Sequence, residues 1–387
     1  MKGYLTRKNK AWYIILEKDR EDGARNQKWV SVRKELGLSK PATKTQAEDL
    51  LVKLLRDQQQ GIFIEPHYMT VTQLLFEWMK SYGKTNLRQT TYGVYETYIR
   101  NHIIPEIGDM TITKLKAMHL QKLYAKKLIE GRKDGQAGGL APSSVQTIHK
   151  IVSRALNMAV KWELLARNVA ELVDPPKDKA SPRQTWEAED TKKFLAAIAK
   201  HTNYPLYLLA ITTGMRKGEV LGLRWQDIDW DRRTLAIVQT VVATSEGVII
   251  APTKTSAGKR SVTVSPFVLA ALKAHRVGQA LLAEHLAKPI PLLVFTADNL
   301  NVLDPNNVLR QFKHICKKAG VPIIPFHALR HTHATLMLQE GVHPKIVSER
   351  LGHSRVGVTM DVYSHVLPDM QADAADQFQN MLNRKTK

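Results

Sequence analysis

A multidomain protein, mainly α-helical with small β elements, is what three observations predict for this chain. Its 387 residues exceed what one hydrophobic core usually serves, so two or three domains are expected. Helix-period apolar stripes fill the stretch from about 68 to 175. Short β-branched and aromatic runs occur near the N-terminus and again beyond residue 234.

Residues 1–63 read as a three-stranded sheet followed by a helix. The runs 11–16 (AWYIIL) and 28–33 (KWVSVR) are strand-like, with Asp22-Gly23 as a turn signal between them. Thr45 and Glu48 have capping-box spacing, and Ala47, Leu50, Leu51, Leu54 and Leu55 form a helical stripe ending at Gly61. One helix covers one sheet face. The other face and its basic residues are left open, either as a solvated surface or as a sheet that enters a DNA major groove.

Residues 68–175 read as a helical bundle. Leu74, Leu75, Trp78 and Met79 mark one stripe, and Tyr92, Tyr95 and Ile99 a second that stops near Pro105 and Gly108. Leu115, Leu120, Leu123 and Leu128 mark a third. Val145, Ile148, Val152, Leu156 and Ala159 mark a fourth, opened by Pro142-Ser143. The segment 131–139 reads as a flexible basic loop. Arg88, Arg100, Lys122, Lys126, Lys127, Lys150 and Arg154 give the bundle surface charges that could track phosphates or simply face water.

The run 175–182 (PPKDKASP) is the clearest linker: its prolines break helices and its charges cannot pack a core. Residues 183–387 are mostly helical with one β insertion. Strand-like runs cover 235–238, 248–250 and 261–264, and the basic segment 253–260 (TKTSAGKR) turns between the last two.

Composition narrows the function. The formal net charge of +21 favours a polyanionic partner, with nucleic acid the commonest. An anionic membrane surface is the rival, but no 18-residue apolar run or cationic amphipathic anchor is present, and the first residues lack a signal-peptide core. Cys316 is the single cysteine, so no intrachain disulfide can form and a reducing cytoplasm is expected.

The chemistry gathers toward the C-terminus. Phenol has a pKa of about 10, so a tyrosine attacks a phosphodiester only among cationic donors and a base. Attack builds a crowded phosphorus centre with extra charge on its non-bridging oxygens, which preorganised arginine forks stabilise more than they stabilise the substrate. Arg216 and Arg330 are the candidate forks. His327, three residues before Arg330 and on the same helical face, and His353 can take or give a proton. His331 and His333 read as structural; metal ligation by the closely spaced histidines is the alternative. Lys254 can protonate the leaving 5′ oxygen from a hairpin tip, with Lys259 and Arg260 as rivals on the same turn. Tyr363 is the nucleophile candidate, set among polar and histidine residues rather than in a core-like run.

The strings 213–219 (TGMRKGE), 327–332 (HALRHT), 351–354 (LGHS) and 362–365 (VYSH) resemble the boxes of the tyrosine recombinase family, in particular phage and conjugative-element integrases. The resemblance implies a catalytic set of Arg216, Lys254, His327, Arg330, His353 and the nucleophile Tyr363, with Glu219 at a supporting acidic position. Lys254 is matched through the run 252–255 (PTKT), which resembles the family's lysine hairpin. It further implies an arm-type DNA-binding domain at 1–63, a SAM-like core-binding domain at 68–175 and a catalytic domain at 183–387. The implied reaction joins Tyr363 to a 3′-phosphate, frees a 5′ hydroxyl and exchanges strands through a four-way junction, without metal, ATP or other cofactor. The implied partners are double-stranded DNA with core and arm attachment sites, a homotetramer of this chain on DNA, and an excisionase or host DNA-bending protein. The setting would be the nucleoid in a bacterial cytoplasm, where a phage or mobile element is integrated or excised. A DNA-relaxing enzyme of type IB topoisomerase kind and a catalytically inactive DNA-binding regulator are the alternatives. Beyond Tyr363, Ala374, Ala375, Phe378, Met381 and Leu382 form an apolar stripe expected to dock on a neighbouring subunit or on its own domain.

Overall fold

The computed structural model describes residues 2–19, 25–59, 69–178, 184–244, 246–253, 258–352, 355–357, 360, 375–376, 378–379 and 382–383. The chain divides into two compact units, residues 1–179 and 180–387, and the division falls inside the proline-rich linker.

In the first unit, β1 (Lys2–Lys8), β2 (Ala11–Asp19) and β3 (Arg25–Ser31) form an antiparallel sheet in chain order. Asn9 and Lys10 close the first hairpin with φ of 48° and 60°, the handedness that a two-residue turn between twisted strands requires. The third strand stops at Ser31 rather than Arg33. Val32–Glu35 forms a short helix, α1, which buries Val32, while Arg33 donates to the carbonyls of Leu38 and Ser39. The next helix, α2 (Lys44–Gln59), starts before the Thr45–Glu48 spacing suggests. Its reciprocal cap is Thr43 with Gln46: the Gln46 N–H donates to Thr43 Oγ1 (3.3 Å) and the Thr43 N–H to Gln46 Oε1 (2.9 Å). Both pairs fit the motif, and the upstream one forms.

Ile14, Leu16, Val30, Val32, Ala47 and Leu50 make the core between sheet and helix. Tyr4, Ile15 and Trp29 pair across the three strands; Ile15 is buried while the two aromatic rings stay exposed. Lys8 Nζ lies 5.6 Å from the centre of the Trp29 ring.

The remainder of this unit is helical. Thr70 and Gln73 cap α3 (Val71–Trp78), which passes through a π-helical turn at Met79–Gly83 into α4 (Lys84–Asn86). A second π turn, Ile99–Ile103, carries α5 (Gln89–Tyr98) into α6 (Ile104–Ile107). Pro105 therefore lies inside a helical run instead of ending it. It is the second residue of α6, and the run stops at Gly108, close to where the sequence places its end. The helices α7 (Ala117–Glu130) and α8 (Pro142–Lys161) complete the bundle around Trp78, Ile99, Leu120, Tyr124, Ile148 and Val152.

Two surface readings change. Lys127 is not a surface charge: its side chain is 4% exposed and its Nζ donates to Glu106 Oε1 at 2.7 Å. A buried ammonium needs such a partner, so this lysine holds the bundle together and does not meet solvent. The 131–139 loop is internally bonded: Arg132 donates to Asp134 Oδ1 (3.0 Å) and Gln136 Oε1 (2.8 Å), and the Leu140 N–H donates to the Lys127 carbonyl (2.7 Å).

The second unit is built around α10 (Tyr204–Thr213), whose residues 205–211 are all buried. A helix apolar on every side belongs at the centre of a domain. α9 (Ala188–Ala197) and α13 (Pro305–Ala319) flank it through an aromatic cluster of Trp186, Phe194, Tyr207, Phe312 and Phe326. Trp186 Nε1 donates to the Pro322 carbonyl (2.8 Å), and the Trp186 N–H to Thr332 Oγ1 (3.0 Å) on α14 (Ala328–Gln339). This fixes α14 against the start of the unit.

Between α11 (Lys217–Leu221) and α12 (Pro266–His285) lie the β elements. β4 (Ile228–Asp229), β5 (Thr234–Ile237) and β8 (Arg260–Thr263) form one antiparallel sheet. β6 (Gln239–Thr244) and β7 (Gly247–Pro252) form a separate hairpin. The run expected at 235–238 thus continues after a break into β6. α15 (Pro344–Leu351) follows α14 and ends at Gly352.

Candidate active site

Three segments distant in sequence meet at the C-terminal end of α10. That helix stops at Gly214, whose φ of +64° an L side chain rarely adopts. A Cβ here would stand 2.6 Å from Leu351 Cδ2 and 2.8 Å from His333 Cδ2. Glycine is needed twice over, for the backbone turn and for the approach of α14 and α15.

Arg216 follows in extended conformation and forms the N-cap of α11. Glu219, one turn into that helix, accepts the Arg216 N–H on Oε2 (2.9 Å) and Arg216 Nη1 on Oε1 (2.7 Å). Gly218 explains how this helix is seated. A Cβ there would stand 2.2 Å from Thr240 Oγ1, so only glycine lets α11 lie directly on β6. The Arg216 side chain remains 43% exposed, while Glu219 is 5% exposed.

Arg330, in the first turn of α14, is 3% exposed. Its Nη1 donates to the Gly214 carbonyl (2.9 Å) and its Nη2 to the Leu351 carbonyl (2.6 Å). One guanidinium therefore ties the box of Arg216 to the end of α15, next to Gly352. Gly352, the C-cap of α15, is itself left-handed (φ 69°). His327 is the exposed N-cap of α14, and its ring lies edge-on to His331 at 5.0 Å.

Arg216, His327 and Arg330 thus belong to segments joined by described hydrogen bonds or by one helix. Lys254, His353 and Tyr363 lie outside the described residues. Of the two rivals of Lys254, Lys259 is exposed, whereas Arg260 is committed elsewhere. Its side chain is 7% exposed, with Nη2 on Glu219 Oε2 (2.9 Å) and Nε on the Arg350 carbonyl (2.7 Å). Arg260 thus anchors the start of β8 and does not stand at the hairpin tip. Burial pushes the Glu219 carboxyl up, but the donors of Arg260 and Arg216 outweigh it and hold its pKa below the ordinary carboxylate value.

The structural reading of His333 agrees with its surroundings. Burial first, then the positive charges of Arg350 and Arg330, pull its pKa down to about 3, against a weaker opposing hydrogen bond with the Ile211 backbone. The ring is a neutral spacer at the junction of α10, α14 and α15. Sequence reasoning overlooked Arg350, which donates to the Thr263 and Thr212 carbonyls (3.0 and 3.3 Å), and the packing roles of Gly214 and Gly218. Both glycines stood within a motif already singled out.

Residues 184–370 match the phage integrase family, and residues 70–129 match the phage integrase N-terminal SAM-like domain. The tyrosine recombinase XerC-like protein of Caldanaerobacter subterraneus subsp. tengcongensis is 30% identical over 362 residues, spanning 88% of this chain and 90% of the relative. The chain belongs to the tyrosine recombinase family. The ICEBs1 integrase of Bacillus subtilis is 27% identical over 266 residues, 68% of this chain and 72% of that protein. Among solved structures, the Tn1549 transposon integrase in complex with a circular intermediate DNA shares the fold with a TM-score of 0.67 at 20% identity. That match covers 80% of this chain and 99% of the integrase chain. A lambda integrase tetramer bound to a Holliday junction gives 0.54 at 17% identity, covering 93% and 94%. This recombinase is therefore an enzyme of DNA integration and recombination, as its family and integrase relatives are. Among the described residues, no helix is long and apolar enough to cross a membrane.

Two consequences follow for stability. Gly214→Ala should cost about 1–3 kcal/mol through strain and displacement of Leu351 and His333; an unchanged denaturation midpoint would show that the junction can relax. For His333 the ordinary value is 6.5 and the folded value about 3, so the unfolded chain takes up the proton first. Its stabilising contribution is complete above the unfolded pKa and is lost as pH falls from 6.5 toward about 3. His333→Asn should flatten the stability curve in that window, measured by denaturant unfolding of the full chain at successive pH values; an identical slope would assign the titration to another group.

Proposed function

We propose that this recombinase cleaves duplex DNA with Tyr363 as nucleophile, forming a 3′-phosphotyrosyl link and freeing a 5′ hydroxyl. The observation that carries the reading is the Arg330 bridge between the Gly214 and Leu351 carbonyls, because it draws the Arg216 box and the turn before His353 to one point. In this reading Arg216 and Arg330 hold the scissile phosphate and stabilise its added charge. Lys254 protonates the leaving oxygen, and His327 and His353 move protons or donate to phosphate oxygens. A hydroxyl from a partner strand then attacks the phosphotyrosine. The bond energy is retained in the protein link, and no metal or nucleotide is required.

The same reading assigns 1–63 to arm-site DNA, 68–175 to core-site DNA and 183–387 to catalysis. The exposed Tyr4 and Trp29 and the cation over Trp29 support the first assignment. Four copies would act on two DNA duplexes, with an excisionase or a host DNA-bending protein setting direction. The DNA-bound state of the Tn1549 and lambda integrases supports DNA as substrate, and the lambda tetramer on a Holliday junction supports the assembly.

Tyr363→Phe should retain DNA affinity yet form no covalent adduct on a nicked suicide substrate, since only the attacking oxygen is removed. Adducts formed by that variant would refute the assignment. At the C-terminus, Phe378 and Leu382, each in a described helical position, are 60% and 61% exposed. Phe378→Asp should weaken tetramer formation on DNA, read by sedimentation, while the melting temperature of the free chain stays the same; a large drop in that temperature would place the tail on its own domain.

A further inference from the structure

Arg260 is a buried cation on which the catalytic reading above places no task. It opens β8, paired with Ile237 in the β5–β8 ladder, at the base of the basic segment that carries Lys254 and Lys259. Its fork reaches Glu219, 41 residues away, and the carbonyl of Arg350, 90 residues away. A third bond runs to the Gly258 carbonyl (3.3 Å). Arg350 answers from the other side: its own guanidinium donates to Thr263, the last residue of β8, and to Thr212 near the end of α10. Two arginines thus cross-brace β8 and α15, each bonding the other's backbone element.

The Glu219 carboxylate is shared between two guanidiniums of different character. Arg216 is 43% exposed and Arg260 is 7% exposed. A carboxylate this deeply buried needs cationic partners. With Arg260 present, part of that demand is met from inside the protein, and Arg216 can give its donors to a phosphate. With Arg260 removed, Glu219 would draw Arg216 inward as its one remaining described cation.

We propose that Arg260 is a positioning residue for strand cleavage: it shares the Glu219 charge with Arg216 and locks the base of the lysine segment to the turn that precedes His353. It touches neither the phosphate nor the reacting atoms. A lysine could pair with Glu219 but would lack the second arm for the Arg350 carbonyl. This inference rests on the catalytic reading of Arg216 and Tyr363.

The test is single-turnover cleavage of a nicked core-site duplex by the full chain, titrated with DNA to separate the rate at saturation from the half-saturating concentration. R260Q and R260K should each slow adduct formation at saturation by about tenfold or more and leave the half-saturating concentration within about twofold. E219Q added to R260Q should recover part of the rate, because neutralising the carboxylate releases Arg216. A purely structural brace would not respond in this way. R260K keeps the buried charge and covers the case in which R260Q fails to fold. Wild-type rates in R260K, a loss confined to DNA affinity, or a double variant no faster than R260Q would each overturn the proposal. Y363F is run alongside: adducts from Y363F would refute the catalytic reading itself, whereas an inert Y363F with unimpaired Arg260 variants would refute this inference alone.

Discussion

Glu219 puts a carboxylate where little water can reach it, so its charge must be met by protein donors. It is met by the Arg216 backbone and guanidinium on one side and by Arg260 on the other. Because those two arginines stand on α11 and β8, satisfying one carboxylate fixes the helix after α10 relative to the base of the basic turn. Arg260 continues to the Arg350 carbonyl, and Arg330 joins Gly214 to Leu351. The whole junction is a sequence of guanidiniums on carbonyls and one carboxylate. Arginine suits every position, since its planar fork donates in two directions at once and stays charged when buried.

Close packing makes this polar junction possible. Gly214 and Gly218 remove side-chain volume at the two places where helices must touch a neighbouring ring or strand. His333 then fills the space beside Gly214 as an uncharged ring, in keeping with its lowered pKa. Behind the junction, the buried α10 and the aromatic cluster around Phe312 supply the apolar mass that excludes water. Excluding water strengthens each bond of the network and also makes any unpaired member costly.

The division of exposure between the two arginines bears on the chemistry of the family. Arg330 is spent on holding elements together, whereas Arg216 stands half open on a tethered backbone. A recombinase must keep its phosphate-binding groups in register before DNA arrives, because reorganisation during the reaction would add to the barrier. In the catalytic reading proposed above, a rigid arginine scaffold, with Arg216 the more accessible of its forks, meets that need. Elsewhere the chain treats charge in the same manner: Lys127 is drawn into the bundle by Glu106, while Lys122 and Lys150 remain at the surface.

Much was legible in the sequence alone. Apolar periodicity located the bundle helices, β-branched runs located most strands, and the four short motifs identified the family, because each depends on local spacing. Arg216 and Glu219 were also readable, being one helical turn apart. What tertiary structure alone decided was which basic residue goes where. Arg260 and Lys259 are neighbours in a basic turn, yet one is buried on Glu219 and the other faces solvent. Lys127 likewise read as a surface charge until its partner 21 residues away was known. A residue type states what bonds a side chain can make; the partner that claims them is set by contacts across 41 or 90 residues, and these exist only once the core has brought the segments together.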